Sequence, residues 1–213
     1  MSISKQNVLD FISLFNDKMA EHRQELTQYD QAIGDGDHGI NMNRGMLAVM
    51  EAYPTFEEQT IPDIFKAVGT TLLSKVGGAS GPLYGTAFRK MGVAVKAKEN
   101  ELEPEDISAM IDKALDGIQK LGKAVAGEKT MLDALIPAKE AYAKALADGK
   151  SVLDALTDAE TACWEGVEYT KTIIATKGRA SYVGERGIGH QDPGATSMSY
   201  LFQAAKEAAQ KAQ

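Results

Sequence analysis

The segment that organises this chain reads Tyr29-Asp30-Gln31-Ala32-Ile33-Gly34-Asp35-Gly36-Asp37-His38-Gly39-Ile40-Asn41. It places three carboxylates within eight residues and separates them with glycines. On either side, at residues 4–26 and 38–53, apolar residues recur with helical spacing, and Pro54 ends the second run. The acidic segment is therefore predicted to be a loop between two amphipathic helices.

Helical periodicity continues along the rest of the chain, and alternating runs of β-branched residues are missing. Six further helices are predicted, at residues 61–76, 83–95, 105–118, 129–147, 151–174 and from 193 to the end. No linker or internal repeat interrupts them. We therefore expect an all-α fold, a single domain at residues 1–213 that forms a barrel or bundle of eight antiparallel amphipathic helices.

The long glycine-rich connections all follow odd-numbered predicted helices, at residues 29–39, 77–85, 121–130 and 176–194. In a bundle of antiparallel neighbours, connections alternate between the two ends. All four connections are then at the same end, and polar loops on a rigid scaffold commonly carry function. We expect the functional site at this pole.

Composition excludes several classes of protein. The 213 residues have a formal net charge of −7, which disfavours direct nucleic-acid binding. Cys163 is the single cysteine, so neither an internal disulfide nor a cysteine-based zinc site is possible. The sequence has no signal peptide and no apolar run of membrane-spanning length. A cytoplasmic protein without membrane contact is expected.

The acidic loop is the strongest candidate for a metal site. Asp30, Asp35 and Asp37 repel one another unless a cation holds them, and their hard oxygen ligands suit Mg²⁺ or Ca²⁺. Gly-x-Gly-x-x-Gly at 34–39 follows no strand and carries aspartates, so it is not a dinucleotide fingerprint. An EF-hand is excluded because the twelfth position is Asn41. The alternative is a solvated turn in which Asp37 caps the next helix.

The other three loops contain features that suit a phosphate ligand. Ser80 lies in a run of small residues whose amides could approach phosphate oxygens, or which is a plain helix–helix turn. Gly122 and Met131 could flank an adenine, while Thr130 could instead cap a helix with Asp133. The Gly-x-Lys-Thr motif at 127–130 lacks the spacing of a P-loop.

The last loop carries two arginines, Arg179 and Arg186, which are natural phosphate ligands. It ends with Asp192 as a predicted helix cap and Pro193 at the first helical position, with bare amides beyond.

Taken in order, five motifs resemble one family across the whole chain. They are Gly-Asp-Gly-Asp-His-Gly at 34–39, Asn-Met-Asn-Arg-Gly at 41–45, Gly-Gly-Ala-Ser-Gly-Pro-Leu-Tyr-Gly at 77–85, Gly-Glu-Lys-Thr-Met at 127–131, and the run from Lys177 to Gly194. This pattern resembles the nucleotide-binding L subunit of dihydroxyacetone kinase, of the type that depends on phosphoenolpyruvate.

The resemblance implies a helical barrel with ADP or ATP at one pole. It implies that Asp30, Asp35 and Asp37 hold two Mg²⁺ ions and, with Arg179, carry the catalysis. The residues implied to contact the nucleotide are His38, Gly39, Asn41, Ala79, Ser80, Gly122, Thr130, Met131, Arg179, Asp192, Pro193 and Gly194.

The resemblance also implies partners. A phosphohistidine on an M subunit would rephosphorylate bound ADP, and the γ-phosphate would pass to dihydroxyacetone held on a K subunit. His190 is the one other candidate phosphate carrier, and we expect it not to serve. A homodimer is expected. Two alternatives stay open: an L subunit that exchanges ATP freely with the K-like partner of another ketose kinase, and a nucleotide-loaded regulator of a transcription factor.

Overall fold

The computed structural model describes residues 2–211 and is almost entirely helical. Within those residues, nine α-helices follow one another: α1 (Lys5–Glu21), α2 (Arg23–Ile33), α3 (His38–Ala52), α4 (Ile61–Lys75), α5 (Ser80–Ala94), α6 (Pro104–Gly122), α7 (Leu132–Ala147), α8 (Val152–Thr170) and α9 (Pro193–Gln210). Short 3₁₀ helices occupy Tyr53–Glu58, Arg179–Tyr182 and Gly184–Gly187. The predicted continuation of the last helix to the chain end falls partly on residues 212–213, outside the described part.

The all-α fold class is confirmed, but the predicted count of eight helices is wrong by one. The expected first helix is divided at His22, and its second part, α2, continues to Ile33. The break leaves no mark on the hydrophobic pattern, because buried Met19 and Leu26 are one heptad apart and keep the same face inward. The His22 ring instead stacks on Tyr200, with 4.0 Å between ring centroids.

The expectation of no strand is also wrong in detail. β1 (Ile3–Ser4) pairs antiparallel with β2 (Glu101–Leu102), and Ile3 lies opposite Leu102. Two-residue strands are too short to show an alternating pattern in the sequence.

The helices form a closed ring. Each helix from α3 to α8 packs against the helix that follows it in the chain. α1 closes the ring because it packs against both α9 and α3. One apolar cluster fills the interior, and it includes stacked or tilted rings of Phe11, Phe15, Phe65 and Phe88 at centroid distances of 6.0 to 6.5 Å. Burial of this surface is the main stabilising contribution.

Side-chain caps fix where several helices begin. Ser4 and Asn7 form a capping box at α1, and Ser151 caps α8 as the sequence suggested. No helix in residues 2–211 is long and apolar enough to cross a lipid bilayer. The connections after α2, α4, α6 and α8 contact one another, which places the four glycine-rich loops together at one end of the barrel.

Candidate functional site

The acidic segment joins the end of α2 to the start of α3. Asp30 lies in the last turn of α2, Asp37 immediately precedes α3, and Asp35 lies between them. One oxygen from each carboxylate lies within 4.8 Å of the others. Clustered oxygen ligands of this kind suit a hard divalent cation such as Mg²⁺. The three predicted metal ligands are therefore neighbours in space.

Two glycines allow the backbone to make this turn. Gly36 has φ +75°, a left-handed conformation that glycine adopts without strain. A Cβ atom at Gly34 would lie 2.2 Å from Oδ1 of Asp30, so a larger residue would displace that carboxylate. The glycines between the aspartates thus keep the carboxylates close together.

Asp30 is 8% exposed, and Oδ2 accepts hydrogen bonds from the backbone N–H groups of Asp37 at 2.8 Å and His38 at 3.0 Å. This carboxylate therefore caps α3 from the neighbouring helix, which fixes its orientation. Asp37 itself makes no side-chain cap bond, so the alternative in which Asp37 caps α3 is wrong.

Asp35 connects the acidic segment to the connection between α8 and α9, residues 171–192. Its Oδ2 lies 2.7 Å from Nε of Arg179. Both side chains are more than one-third exposed, so the ion pair contributes little to stability. Its consequence is positional, because it places the guanidinium group beside the three carboxylates.

His38 is 6% exposed, and both of its ring nitrogens bond to hydroxyls: Nδ1 lies 2.9 Å from Oγ of Ser80, and Nε2 lies 2.9 Å from Oγ of Ser197. The Ser197 hydroxyl also lies 3.1 Å from the carbonyl of Gly194 and 2.8 Å from the Tyr84 hydroxyl, so it has several partners besides His38.

Because the hydroxyls of Ser80 and Ser197 can each donate or accept, they satisfy both nitrogens of a neutral His38 ring. Burial lowers the pKa of His38 to about 4, so the ring is neutral at pH 7. With both nitrogens already hydrogen-bonded, His38 links α3, α5 and α9 and is not free to carry a phosphoryl group.

Asn41 and Arg44 form a second polar group on α3. The Asn41 Oδ1 atom accepts from Arg44 Nη2 at 2.7 Å, and Arg44 Nε donates to the Lys75 carbonyl at 3.0 Å. Arg44 therefore supplies a hydrogen-bond donor to the last carbonyl of α4, which has no partner within the helix. Gly77 lies close to this pair, and a Cβ built there would lie 2.9 Å from Oδ1 of Asn41, so a larger residue would displace the Asn41 side chain.

The small-residue loop places Ala79 and Ser80 at the start of α5. Ser80 is the first helical residue, and Ala79 occupies the cap position. Within the described residues, the amides of residues 79–81 donate to no protein acceptor. They add to the positive end of the α5 dipole beside His38.

The connection between α6 and α7 brings Met131 next to the last loop. A Cβ built on Gly194 would lie 3.7 Å from that of buried Met131. Thr130 and Asp133 cap the start of α7 as the sequence suggested, although Met131 holds the formal cap position: the Thr130 amide donates to Asp133 Oδ2 at 2.8 Å, and the Thr130 hydroxyl accepts from the Leu132 amide at 3.2 Å. Gly122 ends α6 in an exposed position, where an added Cβ would meet Leu83 alone, at 3.4 Å.

Asp192 and Pro193 begin α9 as predicted. The Asp192 carboxylate accepts from the Ala195 amide at 2.7 Å, and Pro193 occupies the first turn. Burial raises the pKa of Asp192 to about 7, and Asp133 and Asp30 add to the increase.

Gly39 has a packing role in this structure. A Cβ there would lie 2.1 Å from the Arg23 carbonyl, so α2 and α3 are in direct backbone contact at Gly39. Arg186 makes no ion pair with any described residue.

Three buried polar residues that support the site were not predicted from the sequence. They are Tyr84, Ser197 and Lys129, all of them buried. The one signal available was Lys129 itself, a lysine inside the Gly-x-Lys-Thr motif that was set aside because it is not a P-loop.

Comparison with known proteins places these features in a family. Residues 32–207 match the model of the DAK2 domain. The chain is 44% identical over 204 residues to a Listeria innocua protein named as the ADP-binding subunit DhaL of a PEP-dependent dihydroxyacetone kinase, covering 96% of each chain. It is 41% identical over 211 residues to the Escherichia coli protein of that description, covering 97% of this chain and all of the relative.

A crystal structure of the Citrobacter freundii dihydroxyacetone kinase in complex with AMP-PNP and Mg²⁺ has the same fold. It superposes with a TM-score of 0.71 at 24% identity, over 94% of this chain and 33% of that one. The family model spans most of the chain, and the Listeria innocua relative matches it almost end to end. The chain therefore belongs to the DAK2 domain family.

Proposed function

We propose that this chain is the nucleotide-carrying subunit of a phosphoenolpyruvate-dependent dihydroxyacetone kinase, a phosphotransferase, and that residues 1–213 form one nucleotide-binding domain. The observation that carries the proposal is the cluster of Asp30, Asp35 and Asp37 at the pole where four glycine-rich loops meet. The end-to-end similarity to relatives named as ADP-binding subunits supports the same function.

Mg²⁺ is the cation that this donor set fits. The set consists of carboxylates alone, and Asp30 Oδ2 is held by two amides, so its other oxygen keeps a fixed direction. When bound, Mg²⁺ supplies neutralisation of phosphate charge. We propose two ions, because three carboxylates and the nucleotide phosphates together exceed the charge that one ion balances.

The phosphates would lie between the carboxylates and the helix starts. The open amides of residues 79–81, the Gly194 amide and the Arg179 guanidinium all offer hydrogen-bond donors to anionic oxygens. Ser80 would contribute its amide, while its hydroxyl is hydrogen-bonded to His38. His38 and Asn41 would support this surface and the end of α4.

The adenine would lie between Gly122, the last residue of α6, and Met131, which immediately precedes α7. Gly122 is exposed and leaves open space above the end of α6, and Met131 offers a polarisable apolar side chain beside Gly194. Thr130 lies in the same loop, and its amide donates a hydrogen bond to Asp133.

Phosphoryl transfer needs positioning and charge stabilisation more than a protein nucleophile. We therefore assign no covalent phosphate carrier to this chain: His38 is neutral with both ring nitrogens hydrogen-bonded, and we propose that His190 does not serve. The donor would be a phosphohistidine on an M-type subunit, and the acceptor would be dihydroxyacetone on a K-type subunit. This assignment favours ADP that stays bound over ATP that exchanges freely.

Isothermal titration of ADP into the chain after bound nucleotide and metal have been removed, with and without added Mg²⁺, tests the metal site. Asp35→Asn and Asp37→Asn should each abolish Mg²⁺-dependent binding while leaving the helical circular dichroism spectrum intact. Asp148→Asn, at an exposed position after α7, is the matched control and should bind ADP like the wild type. Unchanged affinity in both loop variants would refute the metal site.

A further inference from the structure

Lys129 is a buried lysine, and its ammonium group forms no ion pair with a carboxylate among residues 2–211. Its residue is 1% exposed, and Nζ donates to the carbonyls of Thr170 at 2.6 Å, Gly187 at 2.7 Å and His190 at 2.6 Å, with Ile173 at 3.3 Å. An ammonium group has three protons, so these four oxygens satisfy it completely. A buried charge is tolerated where it is so well hydrogen-bonded.

The four carbonyls come from both ends of one stretch of chain. Thr170 is the last residue of α8 and Ile173 follows it, whereas Gly187 and His190 lie just before α9. The ammonium group therefore closes the α8–α9 connection, residues 171–192, into a loop. It also lies at the carbonyl end of the α8 dipole, where a cation is stabilised.

The backbone of Lys129 adds an independent observation. It has φ +59°, in the left-handed region where glycine is favoured and a lysine is strained. Strain of this kind persists where the surrounding structure demands the side chain. Burial also lowers the pKa of Lys129, so the carbonyl contacts must offset the cost of desolvation.

Apart from Lys129, the α8–α9 connection is held by single polar contacts and by little apolar burial. Its apolar residues Ala175 and Ala180 form a small cluster with Ile33 that is separate from the main core. Its exposed contacts are the ion pairs Arg179–Asp35 and Lys177–Glu128 and two bonds from Thr176 to Glu128. Two further hydrogen bonds join its ends, from the Gly189 amide to the Lys171 carbonyl at 2.7 Å and from the Asp192 amide to the Thr170 hydroxyl at 3.0 Å. Segments with so little apolar burial open at low free-energy cost.

We propose that Lys129 is the positioning residue that holds the α8–α9 connection closed over the acidic cluster, and that it thereby sets how long the nucleotide stays bound. The inference rests on the proposed nucleotide function. The connection carries Arg179 to Asp35 at one point and leads into the Asp192–Gly194 turn at another. Loss of the ammonium group would release both from the pole together.

The role differs from that of a phosphate-binding lysine. All three ammonium protons are on backbone carbonyls, so Lys129 would act through the connection and would not touch the nucleotide. Removing it should therefore change the rate of nucleotide release more than the rate of association.

The test compares Lys129→Ala and Lys129→Met with the wild type. Lys123→Ala is the matched control, because Lys123 also has positive φ, at 49°, but is exposed at the end of α6. Dissociation of fluorescent mant-ADP with Mg²⁺ should be at least about tenfold faster in both Lys129 variants and unchanged in the control. Hydrogen exchange should lose protection at residues 171–192 and keep it in α4 and α5.

Chemical rescue separates this role from general destabilisation. Lys129→Ala lacks three methylenes and the ammonium group, which propylammonium supplies. Propylammonium should restore slow mant-ADP release with saturation, while tetramethylammonium, which has no N–H donor, should not. Lys129→Met keeps the chain as far as the position of Cε but has no ammonium group, and it provides the same rate comparison where the alanine variant does not fold.

Release and exchange rates equal to the wild type in Lys129→Met would overturn the inference. So would faster release in Lys129→Ala that propylammonium leaves unchanged. A wild-type chain that binds no ADP would refute the proposed function instead, and the exchange data at residues 171–192 would then still decide whether Lys129 holds the connection closed.

Discussion

The two oxygens of the Asp30 carboxylate have different surroundings, which explains why a single residue affects both fold and site. Oδ2 accepts from the amides of Asp37 and His38, and Oδ1 lies against Gly34. The residue thus combines a helix cap with a proposed metal ligand.

Substitution of Asp30 should separate these two roles. Asp30→Asn keeps an acceptor for the amides, so its free energy of unfolding should stay within about 1 kcal/mol of the wild type. Asp30→Ala leaves two amides without an acceptor and should cost about 2–3 kcal/mol more. Both variants should lose Mg²⁺-dependent ADP binding. Urea unfolding measures the difference, and equal stability of the two variants would contradict the capping role.

Asp192 should make the free energy of unfolding decrease as the pH rises. Burial raises its pKa to about 7, above the unfolded value near 3.8, so the folded state binds its proton more tightly. Its contribution to stability is complete below about pH 4 and is lost as pH rises to about 7.

Asp192→Asn keeps the cap of α9 but cannot ionise. Relative to the wild type, this variant should therefore gain at least about 1 kcal/mol of stability between pH 5 and pH 7.5. Urea unfolding without metal or nucleotide checks this expectation. A stability difference that is the same at both pH values would contradict the raised pKa.

At the scale of elements, the contact between α2 and α3 holds the acidic segment in its turn. Gly39→Ala should cost about 1–3 kcal/mol or more, because the new Cβ would lie 2.1 Å from the Arg23 carbonyl, which is backbone and cannot turn aside. Gly122→Ala is the matched control, since its Cβ meets Leu83 at an ordinary 3.4 Å. Thermal unfolding of both variants measures the difference, and equal melting temperatures would contradict the close contact.

The helices themselves could be predicted from sequence because each needs one apolar face, and that face repeats visibly. The start of α9 at Pro193 was also readable from capping chemistry, because Asp192 was the predicted cap. The break at His22 was not, because its cause is the stacking of His22 on Tyr200 from α9, a contact between residues far apart in sequence. For the same reason Asp30 was assigned to a loop although it lies in α2.

At the scale of the whole molecule, the alternation of loop positions predicted which connections would meet. The structure joins all four through contacts such as Ser80 with His38 and Arg179 with Asp35. Lys129, Ser197 and Tyr84 were missed because a polar residue in a helical or glycine-rich run gives no sign that it is buried. Burial of these residues depends on the closed ring of helices.

Ligand binding at this pole should stabilise the entire barrel, because the site draws on five helices. ADP with Mg²⁺ at about 100 times its dissociation constant should add about 2.7 kcal/mol to the free energy of unfolding. ADP with EDTA should add far less. A thermal shift that EDTA leaves unchanged would show that the carboxylates do not hold a metal for the nucleotide.

The most direct measurement of the central claim is native mass spectrometry of the chain as purified. The account predicts a complex of one chain with one ADP and two Mg²⁺ ions, which Asp35→Asn and Asp37→Asn reduce to the bare chain. A wild-type chain that carries neither nucleotide nor metal, and that remains bare after addition of Mg²⁺ and ADP, would contradict it.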